Sequence, residues 1–250
     1  MSLSLDLPRV SGQMTQHKLN LEKNAPMRFP KAVVFDLDGT LVDSAADIAR
    51  ALNAGFETHG ISPFSAEDVH TIVGGGARIA IDKAAERAKL TLTDSARADV
   101  MQRFFAAYRK VSAEGNGLYP GARTLLEGLR ARDVKIGLCT NKAEDVALIA
   151  VKALGISDLL DVQVGARDDR PRKPFPDMIH ACLDPFGVAP SDAVMVGDSR
   201  ADAEAGRAAG TAVILTSFGY SITPIAELKP DAIVNHLDEV MGWLPKVMWR

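Results

Sequence analysis

The segment Phe35-Asp36-Leu37-Asp38-Gly39-Thr40-Leu41-Val42-Asp43-Ser44 carries the residues best suited to chemistry. Asp36 and Asp38 stand at i and i+2, so on extended chain both carboxylates project from the same side. Gly39 allows the main chain to approach an anion closely. Asp-Gly is also a common hairpin-turn pair. Here, however, it directly follows the apolar run Ala32-Val33-Val34-Phe35. Carboxylates at the C-terminal end of a buried strand lie where open α/β sheets bind ligands.

Three further segments have the same placement. Leu138-Cys139-Thr140-Asn141-Lys142 ends an apolar run, and the Thr140 hydroxyl with the following N–H groups could hold phosphate oxygens. A threonine there is equally suited to cap a helix. In Arg170-Pro171-Arg172-Lys173-Pro174, Lys173 offers a mobile positive charge to an anion, with Arg170 and Arg172 as rival cations. In Val196-Gly197-Asp198-Ser199-Arg200-Ala201-Asp202, the two aspartates are spaced i, i+4 and share a helix face if a helix begins at Ser199. Asp198 also reads as a helix cap. Carboxylates gathered beside Asp36 and Asp38 form a hard, oxygen-rich site suited to Mg²⁺ rather than to thiophilic metals.

The elements that must position these residues follow from periodicity. Runs at 32–35, 134–138, 161–164, 193–196, 211–215 and 232–234 read as strands buried on both faces of a parallel sheet. Amphipathic helices at 122–132, 144–154, 175–186 and 200–209 alternate with them. This alternation predicts right-handed crossovers and a Rossmann-like α/β three-layer sandwich. Residues 45–115 break it. They hold helical patterns at 45–59, 65–72, 77–90 and 94–113 and no strand, which predicts an inserted all-helical cap domain. The core domain is then 31–44 with 116–250, and the polar stretch 1–30, broken by Pro8, Pro26 and Pro30, is a flexible leader.

Composition narrows the function. The 250 residues include 29 Lys+Arg and 32 Asp+Glu, so no basic excess exists to neutralise a nucleic-acid backbone or seek an anionic membrane. Two cysteines, Cys139 and Cys182, are too few for a disulfide framework or a four-cysteine zinc site. No apolar stretch approaches the ~20 residues that span a bilayer, and no secretory signal opens the chain, so the expected location is cytoplasmic. His59, His70, His180 and His236 show no metal-ligand spacing.

The four segments, in this order, resemble the motifs of the haloacid dehalogenase superfamily. Tyr119-Pro120-Gly121 and Phe218-Gly219-Tyr220 add a resemblance to its phosphoglycolate phosphatase-like branch. The resemblance runs from Lys31 to the C-terminus. It implies a Mg²⁺-dependent phosphatase acting on a small phosphorylated metabolite, foremost 2-phosphoglycolate, as a monomer or homodimer. Asp36 would be the nucleophile that forms an aspartyl-phosphate, and Asp38 the general acid and then base. Asp36, Asp198 and the Asp38 carbonyl would bind the metal, and Lys173 would add positive charge. Thr140, Asn141 and the backbone near Gly39 would hold phosphate, and Asp202 would orient Lys173 or a metal-bound water.

Within the inserted helices, Arg78 follows Gly74-Gly75-Gly76 and is expected to pair with a substrate carboxylate. A phosphatase or mutase for a sugar phosphate would share these motifs. A phospho-acceptor or metabolite sensor would need the aspartate, lysine and metal but neither Asp38 nor a closing cap.

Overall fold

The computed structural model describes residues 28–115 and 117–248. Most of the expected leader, residues 1–27, lies outside the described residues. Six strands form one parallel sheet: β1 (Ala32–Phe35), β2 (Lys135–Ala143), β3 (Val162–Ala166), β4 (Ala193–Gly197), β5 (Ala212–Thr216) and β6 (Ala232–Val234). Their spatial order is β3-β2-β1-β4-β5-β6. The order reverses at β1, so a crevice opens between the carboxyl ends of β1 and β4, the place where such sheets take ligands.

The strands are apolar throughout because helices cover both faces. Val33 and Phe35 of β1 join the cluster that contains Leu125, Leu126 and Leu129 of α5 (Ala122–Arg130) and Val151 of α6 (Glu144–Ala153). The alternate residues Ala32 and Val34 join the opposite cluster, with Met178 and Cys182 of α7 (Asp177–Leu183) and Ala205 of α8 (Arg200–Ala209). A last helix, α9 (Val240–Val247), packs Val240 and Leu244 on the first of these faces. The result is the expected three-layer sandwich.

Between β1 and β2 lie α1 (Ala45–Gly55), α2 (Ala66–Ile72), α3 (Ala77–Arg87) and α4 (Asp94–Ser112). They bury Leu52, Phe56, Val69, Ile81, Phe104 and Tyr108 in an apolar cluster of their own, which Val146 and Tyr220 join.

Several helices are shorter than their periodicity predicts, for local reasons. After α1 the chain tightens into a 3₁₀ turn at Glu57–His59, closed by Gly60 at φ 63°. Residue Lys89 turns left-handed at φ 55° just past α3. Pro185, which has no N–H to donate, stands in the 3₁₀ turn that follows α7. Strand β2 runs longer than predicted, to Ala143, and its register with β3 shifts between Cys139 and Ala143. Thr140 is therefore a strand residue rather than a helix cap; the cap position of α6 is Ala143, which makes no side-chain cap bond.

Candidate active site

Asp36 follows the last residue of β1, and its main-chain N–H still bonds Val196 of β4 at 2.9 Å. The chain then folds into a tight turn in which Thr40, Leu41 and Val42 all donate to the Leu37 carbonyl. Gly39 sits in that turn at φ +80°, and a Cβ there would lie 2.4 Å from Asp198 Oδ2. Both its conformation and its closeness to a carboxylate require glycine. Gly219 serves Asp198 from the other side, where a Cβ would fall 2.2 Å from the Asp198 Cβ.

Asp198 follows β4 and precedes the helix rather than lying on it. The cap of α8 is Ser199, whose side chain accepts from the Asp202 N–H in a reciprocal capping box. The expectation that Asp198 and Asp202 share a helix face therefore gives way to another arrangement. Asp202 turns back on the loop: its Oδ2 accepts from the Asp198 N–H at 3.2 Å, the Ser199 N–H at 3.0 Å and the Ser199 hydroxyl at 2.6 Å. Its Oδ1 accepts from Lys173 Nζ at 2.6 Å. Asp198 takes the Tyr220 N–H at 2.6 Å on Oδ2.

Lys173, not Arg170 or Arg172, is the cation at the centre. Its side chain is buried, with Nζ 2.6 Å from Asp202, 3.0 Å from Asp36 Oδ1 and 2.7 Å from the Cys139 carbonyl. The ammonium hydrogen-bonds Asp202 and the Cys139 carbonyl and forms an ion pair with Asp36, so three fixed oxygens surround it. The side-chain amide of Asn141 holds the Lys173 main chain at both ends, donating to its carbonyl at 2.9 Å and accepting from its N–H at 3.0 Å. The Asn141 side chain is accordingly engaged with the protein, and the buried Thr140 hydroxyl, which accepts from the Lys142 N–H at 3.2 Å, lines the cleft.

One carboxylate oxygen from each of Asp36, Asp198 and Asp202 lies within 4.8 Å of the others, and all three residues are buried. Burial pushes the Asp36 carboxyl up to about 7; Lys173 opposes this, and Asp202 and Asp38 add to it. Burial also raises Asp198 well above the carboxylate range, reinforced by Asp202 and Asp36. Burial works against the Lys173 ammonium too, but Asp202 and Asp36 outweigh it and hold its pKa above the ordinary lysine value. Three buried carboxylates facing one ammonium leave excess negative charge in a low dielectric. A hard divalent cation would relieve that excess, and an all-oxygen donor set fits one. The hydrogen bond that Asp36 accepts from the Leu37 N–H and its ion pair with Lys173 both fall on Oδ1, so Oδ2 accepts no protein hydrogen bond among the described residues.

The cleft over this cluster is walled by the inserted helices through Ile48, Val73, Ala80, Phe104, Phe105 and Tyr108. Three residues to which sequence reading gave no role stand out here. Lys142 is buried, with Nζ 2.8 Å from Asp38 Oδ1 and bonded to the Tyr108 hydroxyl. The Tyr220 hydroxyl donates to Asp43 at 2.7 Å and accepts from the Ser44 N–H at 2.7 Å and the Ala45 N–H at 3.0 Å, where the chain enters the inserted helices. Lys142 and Tyr220 each close a segment already singled out, Leu138-Cys139-Thr140-Asn141-Lys142 and Phe218-Gly219-Tyr220, without a role of their own. Tyr108 carried no signal, being one apolar-face residue of a long helix. Arg78 is exposed at the start of α3 and is not among the residues lining the cleft.

A six-stranded Rossmann-like sheet with a helical insertion after β1, and an aspartate–lysine cluster at its switch point, define a hydrolase class. The chain belongs to the haloacid dehalogenase-like hydrolases, whose family model matches residues 33–216. Within that family it is a phosphoglycolate phosphatase-like enzyme. It is 38% identical over 219 residues to the phosphoglycolate phosphatase of Rhodospirillum rubrum, covering 86% of this chain and 91% of that protein. To the enzyme of the same name from Chromobacterium violaceum it is 36% identical over 211 residues, 84% of this chain and 94% of the relative. A crystal structure described as a predicted phosphoglycolate phosphatase from Haemophilus somnus superposes with a TM-score of 0.79 at 31% identity, covering 85% of this chain and 96% of that one. No helix among the described residues is long and apolar enough to cross a membrane.

Proposed function

We propose that this protein is a cytoplasmic, Mg²⁺-dependent phosphomonoesterase that hydrolyses 2-phosphoglycolate through an aspartyl-phosphate. The observation that carries the reading is the buried meeting of Asp36, Asp198, Asp202 and Lys173 at the carboxyl ends of β1 and β4. The naming of relatives at 36–38% identity supports the substrate.

Asp36 attacks phosphorus with Oδ2, the oxygen free of protein bonds. The ester P–O bond breaks as the new Asp36–phosphorus bond forms, and Asp38 passes its proton to the departing alkoxide. Asp38, now ionised, takes a proton from water. That water attacks phosphorus, releases inorganic phosphate and returns the Asp36 carboxylate. Thr140 and the main chain near Asn141 and Gly39 hold the phosphoryl oxygens. Lys173, fixed by Asp202 and by the Asn141 clasp on its backbone, keeps a positive charge beside the attacking oxygen pair. Asp36, Asp198 and the Asp38 carbonyl would hold the Mg²⁺. When bound, it supplies the charge that offsets repulsion between a carboxylate and a phosphate dianion. Residues 45–115 act as the cap, excluding water from the cleft and favouring small esters.

A panel of phosphomonoesters, read as kcat/KM with phosphate release as the signal, tests this. Phosphoglycolate should exceed sugar phosphates by orders of magnitude, and chelation should abolish turnover. Isomerised sugar phosphate without phosphate release would replace the reading with a mutase. No turnover of any ester, with stable phosphorylation of Asp36, would replace it with a phospho-acceptor.

A further inference from the structure

A lysine side chain is seldom buried without partners, and Lys142 is only 3% exposed. It stands at the carboxyl end of β2, one residue past Asn141. Its ammonium meets two groups from distant stretches of chain. One is Asp38 Oδ1 at 2.8 Å, in the turn after β1. The other is the Tyr108 hydroxyl of α4, and Nζ also lies 4.1 Å from the centroid of that ring. Tyr108 is itself buried, and burial raises its pKa, so it meets Lys142 as a neutral phenol. Among the described residues, no other side chain hydrogen-bonds the Asp38 carboxylate. Asp38 therefore has one side-chain anchor, and that anchor's second partner sits on the inserted helices.

We propose that Lys142 is a positioning residue that ties the acid–base carboxylate to the cap. Docking of Tyr108 of α4 fixes the Lys142 ammonium, and the ammonium fixes the Asp38 carboxylate. This rests on the reading of Asp38 as proton donor. Lys173 cannot substitute, because its ammonium is held among Asp202, Asp36 and the Cys139 carbonyl. Without Lys142, the Asp38 carboxyl would lose its one side-chain hydrogen bond among the described residues. Displacement of a catalytic group by about 1 Å costs roughly 100-fold in rate. The arrangement makes acid catalysis conditional on the cap being seated, so an open cleft would not donate a proton efficiently.

The test uses leaving groups, because a proton donor matters for an alkoxide and little for a stable phenolate. The esters are phosphoglycolate, an uncharged alkyl phosphate and para-nitrophenyl phosphate, with kcat/KM measured for wild type, Asp38→Asn, Lys142→Met, Tyr108→Phe and the Asp38→Asn/Lys142→Met double variant. Lys142→Met should lower kcat/KM for both alkyl esters by roughly 100-fold and for the aryl ester by less than about tenfold. Tyr108→Phe should show the same pattern more weakly, and it keeps the test open if Lys142→Met fails to fold. In the Asp38→Asn background, Lys142→Met should cost nothing further, since the two act as a unit.

An equal loss on all three esters, or full additivity in the double variant, would overturn the proposal in favour of a packing role. A loss confined to phosphoglycolate would overturn it in favour of direct contact with the substrate carboxylate. If Asp38→Asn itself shows no leaving-group dependence, the proton-donor reading falls first, and this inference with it.

Discussion

At the scale of single residues, the site separates carboxylates by their surroundings. Asp202 has both oxygens engaged by Lys173, Ser199 and the Asp198 N–H. Asp36 keeps one oxygen free of protein hydrogen bonds, and this difference supports the proposal that Asp36 attacks while Asp202 anchors. Asp36→Asn should lower phosphate release by at least about a thousandfold, the scale seen when a nucleophile is removed. Its melting temperature should not fall, because one buried negative charge is lost from a site with an excess of them. A variant that retains wild-type turnover would remove the nucleophile assignment. Lys173→Met should do the opposite to stability. Removing one partner of a buried ion cluster costs about 3–5 kcal/mol, readable as a lower urea midpoint without added Mg²⁺. An unchanged midpoint would mean that the carboxylates are not paired as described.

At the scale of elements, the loops after β1, β4 and β5 interlock through glycines and one cap. Gly219 leaves room for the Asp198 side chain, and a Cβ there would fall 2.2 Å from the Asp198 Cβ. Gly219→Ala must therefore push Asp198 or the β5 loop aside. With Asp198 holding Mg²⁺ as proposed, the expected outcome is at least about a tenfold rise in the Mg²⁺ concentration for half-maximal activity, the usual cost of disturbing a metal ligand's support. Ser199→Ala removes the cap of α8 and one of the bonds that aim Asp202. It should cost about 1 kcal/mol in chemical unfolding and lower kcat as well. Loss of stability with kcat unchanged would show that the cap holds the helix but not the site.

At the scale of the whole molecule, the charge concentrated at the switch point sets how stability responds to pH. The Asp36 carboxyl is lifted to about 7 in the fold, against about 3.9 in an unfolded chain. Asp198 is raised in the same direction. Over that window the unfolded chain has lost protons that the fold retains, so the contribution to stability is full at acid pH and declines as pH rises towards 7. In chelator, the melting temperature should fall by at least about 4 °C between about pH 5 and about pH 8, a shift of roughly 1 kcal/mol or more for a chain this size. Saturating Mg²⁺ should flatten the profile, since a cation that binds only the fold compensates the ionised carboxylates. A chelated protein whose melting temperature rises across this window would contradict the picture of uncompensated buried charge.

Much of this was written in local pattern. The six strands were legible because a sheet covered on both faces demands continuous apolar runs, and such runs at 32–35 and 193–196 have no other comfortable reading. Asp36, Asp38, Asp198 and Thr140 were legible because each stands within a few residues of the end of such a run, and Lys173 because it lies in the loop after one, and the carboxyl edge of a parallel sheet gathers what stands there. Local pattern could not say which oxygen of which aspartate stays free, since that depends on donors 100 or more residues away, as with Lys173 on Asp36. Nor could it say that Ser199 rather than Asp198 would cap α8, because both residue types cap helices equally well. The pairing of Lys142 with Tyr108 was invisible for a related reason. A buried lysine on a tyrosine is defined by a contact between β2 and α4, and a contact has no signature in either stretch alone. Residue types and their order along the chain therefore determined the fold and the chemical inventory. Only packing decided which groups are paired, because pairing depends on distance in space, and burial is what makes each unpaired charge consequential.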